Sequence, residues 1–205
     1  MFNSQPRAGY FILRHSSILK ENVRGDCMEF SAQTTTIQEQ NHTISILFST
    51  YTDFVSRIIG LFSKFGCTHV SVALDDDEEH FYAFNAKGFR KEYPKKHKNR
   101  TNKNTCIRLK ITDLQYNDIK KYLEGFEKQK SKYSYDYLGI ALCMFRLHRH
   151  KNKKKYFCSS FIAELLQKSK IIKLKKKNTR YLPYQLQKEL LLCPLIIAIS
   201  QNVFL

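Results

Sequence analysis

The feature that most constrains the fold is an apolar stripe that begins beside a cysteine. Apolar residues recur at helical spacing at Phe157, Phe161, Ile162, Leu165 and Leu166. A helix with one apolar face is stable when that face packs against another layer of the protein. A basic run over residues 146–155 precedes the stripe. The pattern therefore predicts a helix that begins near Cys158 and packs into the core.

Cys158 lies in the predicted first turn of this helix, which favours a reactive thiol. Unpaired backbone N–H groups and the positive end of the helix dipole stabilise a thiolate there, and the thiolate is the nucleophilic form. The alternative is a small buried cysteine that packs in the core, which is the commoner role of an intracellular cysteine. Both interpretations fit the residue type, so a partner residue is needed to separate them.

A second segment supplies such a partner. Residues 66–74 have the β-branched residues and the alternation of a strand, with His69 near its start on the face of Ser71 and Ala73. A thiol that attacks a carbonyl needs a base to accept its proton and return it to the leaving group. His69 would serve if this strand faced the Cys158 helix. The alternative is a hydrogen-bonded, half-buried imidazole.

These two motifs, in this order, resemble the circularly permuted papain-like enzymes of the NlpC/P60 superfamily, above all the YiiX/YaeF-like permuted amidase group. The resemblance rests on Thr68-His69-Val70-Ser71, on the strand that follows it and on Phe157-Cys158-Ser159-Ser160-Phe161. It spans residues 44–191. In ordinary papain-like chains the cysteine helix precedes the histidine strand, and here the order is reversed, as in the permuted group.

The resemblance implies an α+β, permuted papain-like fold, with an antiparallel sheet packed against helices and a cysteine at a helix N-terminus facing a histidine-bearing strand. It implies a cysteine-dependent hydrolase, amidase- or peptidase-like, that acts through a thioester with Cys158 as nucleophile and His69 as base. A third polar residue orients the histidine in that family. We assign Asn85, with His80 and Tyr82 as rivals because a one-residue shift in register changes the face.

The resemblance also bears on substrates and partners. It implies an amide- or ester-containing substrate, such as a peptide, a cell-wall fragment or a lipid, and it implies neither a cofactor nor a metal. The runner-up function is a lipid acyl hydrolase or acyltransferase of the same fold. The five carboxylates over residues 75–79 are interpreted as a solvated hairpin turn, because adjacent carboxylates on a tight turn diverge and calcium loops alternate their ligands.

The charge of the chain suggests a different class of function. There are 35 Lys and Arg residues against 18 Asp and Glu, a net charge of +17, which attracts anionic surfaces. A non-catalytic basic binding module for such surfaces is therefore a further interpretation. The lysines are scattered as well as clustered, so a solvated basic surface is the simpler explanation. No motif for specific nucleic-acid binding is recognisable.

The cysteines and the hydropathy pattern bear on location. Six cysteines stand at wide, irregular spacings without a C-x-x-C pair, mostly inside apolar runs. This favours reduced thiols and a cytoplasmic protein. No run of 18 apolar residues occurs, so no transmembrane segment is predicted.

The remaining patterns predict the domain organisation. We expect an irregular N-terminal extension over residues 1–42 and a single domain over residues 43–205. Strands are predicted at 43–50, 80–88 and 105–111, together with a mobile basic loop over 87–104. A helix is predicted to follow an N-cap at Thr52 or Asp53 and to end at Gly66. Further helices are predicted from Thr112 or Asp113, from Ser134 or Asp136 to about Leu147 as a buried helix, and from Pro183. The apolar tail over 193–205 is predicted to be either a final edge strand or a partner-binding segment.

Overall fold

Most segments in which apolar and polar residues alternate form strands, and segments with apolar residues at helical spacing form helices. The structure is a computed structural model and describes residues 41–51, 54–62, 66–75, 77, 79–96, 101–147, 152 and 154–203. The strands are β1 (Asn41–Tyr51), β2 (His69–Leu74), β3 (Phe81–Asn85), β4 (Gly88–Glu92), β5 (Thr101–Thr112), β6 (Ser134–Tyr135), β7 (Lys155–Tyr156) and β8 (Ile196–Gln201). The helices are α1 (Phe54–Phe62), α2 (Asp113–Lys128), α3 (Tyr137–Met144), α4 (Cys158–Lys168) and α5 (Pro183–Leu190).

The main sheet has six antiparallel strands in the order β4-β3-β2-β1-β5-β8. Its register pairs Ser49 of β1 with His69 of β2, and Val72 of β2 with Tyr82 of β3. The strands β6 and β7 form a separate parallel pair just before α4. The fold is therefore α+β with an antiparallel sheet and helices, as the sequence predicts.

The core lies between this sheet and the helices. Val72 and Ile107 of the sheet share one buried cluster with Phe161 and Leu165 of α4. Phe161 has no exposed surface, and its ring lies 5.1 Å from the ring of Phe84 in β3, centroid to centroid. This packing is what the apolar stripe on α4 predicts, and it holds the beginning of α4 against the sheet.

Two sequence predictions are wrong. The mobile loop expected over 87–104 contains the edge strand β4 and the start of β5. Its charges concealed the strand, because an edge strand tolerates exposed cations such as Arg90 and Lys91 while Phe89 and Glu92 are buried. The helix α3 is not buried throughout. Gly139, Ile140 and Cys143 are buried, whereas Leu138 is exposed.

Several other predictions are confirmed. Thr112 caps α2, accepting from the backbone N–H of Gln115 at 3.3 Å. Pro183 opens α5, and the apolar tail forms β8 at the edge of the sheet. The extension predicted for 1–42 lies outside the described residues except for its last two, which begin β1, and the domain boundary stays a prediction.

The described helices are short. None of them is long and apolar enough to cross a membrane. The five cysteines in the described part of the chain, Cys67, Cys106, Cys143, Cys158 and Cys193, are free thiols and all are buried.

Candidate active site

The beginning of α4 is fixed by two serine hydroxyls. Ser160 Oγ accepts a hydrogen bond from the Phe157 N–H at 3.0 Å and donates to the Phe157 carbonyl at 2.8 Å. Ser159 Oγ donates to the Tyr181 carbonyl oxygen at 2.6 Å, which ties this helix end to the segment before α5. Both hydroxyls are consumed by the backbone. They therefore hold Cys158 in the first turn of the helix.

His69 meets Cys158 at this helix start. The Cys158 side chain lies close enough to the imidazole to raise its pKa. On the other side of the ring, Nε2 lies 2.7 Å from Glu92 Oε2. Because Nε2 faces the carboxylate, Nδ1 is the ring nitrogen that remains to exchange a proton with the thiol. The order of groups is thus thiol, imidazole and carboxylate.

Asn85 supports the carboxylate, because its side-chain amide donates to Glu92 and not to the imidazole. Its Nδ2 donates to Glu92 Oε1 at 3.0 Å, while the other carboxylate oxygen is on His69. Glu92 pairs with Phe81 across the β3–β4 hairpin, and alternation puts Phe81, Ala83 and Asn85 on one face of β3.

The assignment of the third polar residue is therefore corrected. Asn85 was predicted to orient the histidine, but Glu92 does so in the structure, with Asn85 one step further out. The rivals lie elsewhere. His80 contacts the Asp77 carboxylate at 3.0 Å, and the Tyr82 ring lies beneath the Lys91 ammonium. The prediction from register considered only β3, the strand next to His69. It therefore missed the longer side chain of Glu92, which extends from β4.

Burial makes the site electrostatically strong. Cys158 is 1 % exposed, His69 8 % and Glu92 9 %. Burial by itself lowers the pKa of His69, but the Glu92 carboxylate and the hydrogen bond to Cys158 outweigh it, so the pKa lies well above the usual value. The imidazole is accordingly held in its protonated form, which is the form that pairs with a thiolate.

Other groups surround the pair. The Tyr51 ring lies 5.3 Å from the His69 ring. Cys67 Sγ donates to Gln187 Oε1 at 3.3 Å, and both burial and the charge of Cys158 raise the pKa of the Cys67 thiol. The backbone N–H of Cys158 has no hydrogen-bond acceptor within the described part of the chain. It is thus available to an oxygen placed over the helix end.

Sequence reasoning missed Glu92 because the strand that carries it was interpreted as a loop. A signal was nevertheless present, since Glu92 is the one acidic residue in the basic stretch from Lys87 to Asn104. A single carboxylate among many cations can be a buried group with its own partner as well as a solvated charge.

No protein-family model matches the chain, and no curated protein matches it either.

Proposed function

We propose that this protein is a cysteine-dependent hydrolase, amidase- or peptidase-like, with a permuted papain-like fold. The observation that carries the proposal is one buried imidazole that pairs with a carboxylate at 2.7 Å and lies close enough to a helix-start thiol for that thiol to raise its pKa. Such a series of three groups activates a nucleophile, since the base takes the proton and the third group orients the base. The chain order, histidine strand before cysteine helix, supports the permuted form of the fold.

The proposed reaction is acyl transfer through a thioester. In the reactive pair the proton of Cys158 is already on His69, so the sulfur adds as the thiolate to the carbonyl carbon of the substrate. The resulting oxyanion accepts a hydrogen bond from the backbone N–H of Cys158, at the positive end of α4. When the intermediate collapses, the bond to the leaving amine breaks and His69 gives that amine its proton. An acyl thioester on Cys158 remains.

Water completes the cycle. His69, now neutral, removes a proton from water as its oxygen adds to the thioester carbonyl. Collapse of the second intermediate breaks the carbon–sulfur bond, releases the carboxylic acid and returns Cys158. Glu92 stabilises the imidazolium at both stages, because its carboxylate lies 2.7 Å from Nε2. With Cys158 1 % exposed, substrate reaches the sulfur only after the side chains that cover it move aside.

Selective alkylation tests the proposal without a known substrate. Limiting iodoacetamide at neutral pH, followed by peptide mapping, should label Cys158 before the other cysteines. Cys67 is an internal control, because it is also buried but its pKa is raised. His69→Ala should abolish the preference, whereas His80→Ala, which removes a histidine held by Asp77, should not.

Two results would contradict the proposal. Cys67 could react as fast as Cys158 in the unmodified protein, or His69→Ala and His80→Ala could have the same effect. Capture of an acyl probe as a thioester on Cys158, detected by mass and lost in Cys158→Ser, would extend the test from reactivity to acyl transfer.

The second candidate function is the same chemistry on a lipid ester. The structural observation that favours it is the apolar helix α3, whose first residue lies against the hairpin of the site. The Tyr137 hydroxyl is 3.5 Å from the Ala86 carbonyl oxygen, next to Asn85. A parallel screen of amide and ester probes on Cys158 separates the two candidates by the leaving group that the thiol displaces.

A further inference from the structure

The helix α3 and the turn that follows it form an unusual surface. All eight residues of α3 are apolar, aromatic or glycine. A helix without a polar face is normally enclosed by protein or by lipid. Here Leu138 is 57 % exposed, and beyond the helix Phe145 is 63 % and Leu147 57 % exposed. These three side chains define what we call the α3 surface.

Cations lie beside Leu147, one of the three side chains of the α3 surface. A small cavity of about 40 Å³ beside α3 is lined by Leu142 and Leu147 together with Lys155 and Lys177. Lys176 lies close enough to act electrostatically on Cys143, which also lines this cavity. Of the residues that line the cavity, only Asp136 is acidic, and it is buried and accepts a hydrogen bond from the Gly139 N–H.

We infer that the α3 surface docks on an anionic lipid bilayer. Exposed leucine and phenylalanine beside several lysines is the pattern of a protein that lies at a membrane interface, with its apolar side chains among the acyl chains and its ammonium groups at the headgroups. Nucleic acid fits this surface less well, because a phosphate backbone gains nothing from leucine and base stacking needs a groove lined by aromatic rings. The net charge of +17 also attracts the whole protein to an anionic bilayer over a longer range.

The inner face of α3 connects this surface to the candidate site. Ile140 and Cys143 share a buried cluster with Phe157, the residue directly before Cys158. A bilayer on the α3 surface would therefore lie beside the helix end that carries the thiol. Docking goes beyond the proposed function and does not depend on catalysis, so it is tested by binding alone.

Sedimentation with vesicles of phosphatidylcholine containing about 30 % phosphatidylserine tests the inference. The triple variant Lys155→Gln, Lys176→Gln, Lys177→Gln should reduce the vesicle partition coefficient about 100-fold, since each interfacial cation contributes about fivefold, or ~1 kcal/mol. The matched control Lys103→Gln, Lys110→Gln, Lys120→Gln removes the same charge from exposed positions on β5 and α2. It should reduce partitioning only a few-fold, because separate surface charges are screened within about 8 Å at physiological salt.

The apolar side chains are tested separately. Leu138→Ser with Leu147→Ser should weaken binding by about tenfold or more, since burial of each methylene contributes ~0.8 kcal/mol. The control is Leu114→Ser with Leu192→Ser, two exposed leucines on α2 and after α5, which should have no effect. Circular dichroism spectra that match the unmodified protein show that each variant is folded.

Three results would overturn the inference. The lysine variant and its charge-matched control could lose binding equally, which would make net charge the only cause. Vesicles of pure phosphatidylcholine could bind as tightly as anionic ones. An RNA oligonucleotide or an acidic protein could be retained through the same lysines while anionic vesicles are not.

Discussion

The sharpest prediction concerns Glu92, which was not among the residues expected from the sequence to act in the site. Glu92→Gln should slow alkylation of Cys158 by iodoacetamide at neutral pH by between about 10- and 100-fold. The substitution keeps the size of the side chain but removes the charge that faces His69. Burial, which by itself lowers the pKa of His69, is then no longer offset by Glu92, and the imidazole loses the proton that pairs with the thiolate.

The magnitude follows from the geometry of the pair. Both side chains are 10 % exposed and the nitrogen–oxygen distance is 2.7 Å. Two unit charges about 4 Å apart interact by about 4 kcal/mol at an effective dielectric constant of about 20. The amide oxygen of glutamine still accepts a hydrogen bond, so a part of this is retained. A loss of about 1.4 to 2.7 kcal/mol corresponds to the predicted range of rates.

Asn85→Ala is the matched comparison, because it removes one hydrogen bond to the same carboxylate. Asn85 is half-buried, so water can take its place on Glu92 Oε1. The expected loss is ~1 kcal/mol, or about fivefold in the alkylation rate. The assay is the second-order rate constant at Cys158 as a function of pH, read by mass spectrometry. If Asn85→Ala slows the reaction as much as Glu92→Gln, or more, Glu92 is not the residue that holds the imidazole.

Three further predictions concern stability. Because the pKa of His69 is raised in the folded protein, its contribution to the free energy of unfolding is complete below the unfolded value of about 6.5 and disappears as pH rises through the folded pKa. Urea unfolding should therefore show the deficit of Glu92→Gln largest at about pH 5–6.5 and smaller in alkali; a constant deficit would contradict this. Phe161→Ala should lower the free energy of unfolding by about 3–5 kcal/mol, since that side chain has no exposed surface and fills the aromatic core, and a loss below about 1 kcal/mol in urea titration would refute the packing argument. Gly88→Ala should cost about 1–3 kcal/mol, because Gly88 has φ +88° and an added Cβ would lie 3.0 Å from the Tyr133 carbonyl oxygen; an unchanged melting temperature would contradict it.

Most elements of the fold could be predicted because their signals are local. The stripe from Phe157 to Leu166 specifies α4, and alternation specifies β2 with His69 at its start. The strand β4 could not be found in the same way. Its residues include three charges in five positions, and a chain with that composition forms a strand only when a neighbouring strand supplies the hydrogen bonds.

The same distinction applies to the candidate site. Cys158 and His69 were identified from the sequence, because a helix start and a strand start are local features that place a residue type where it can react. That they touch, although 89 positions apart, follows only from the order of the sheet and the packing of α4 on it. Glu92 could not be identified from the sequence, because its role depends on the burial of its carboxylate against the His69 imidazole.

The sequence alone determined that Cys158 stands at a helix start and His69 at a strand start, because periodicity, helix ends and residue type are local properties of the chain. Only the tertiary structure decided which polar side chain holds His69, and it decided that α3 and the turn after it leave Leu138 and Leu147 exposed to solvent. The physical reason is that burial and distance between remote residues are set by the packing of all the elements together, and a segment of sequence contains no measure of either.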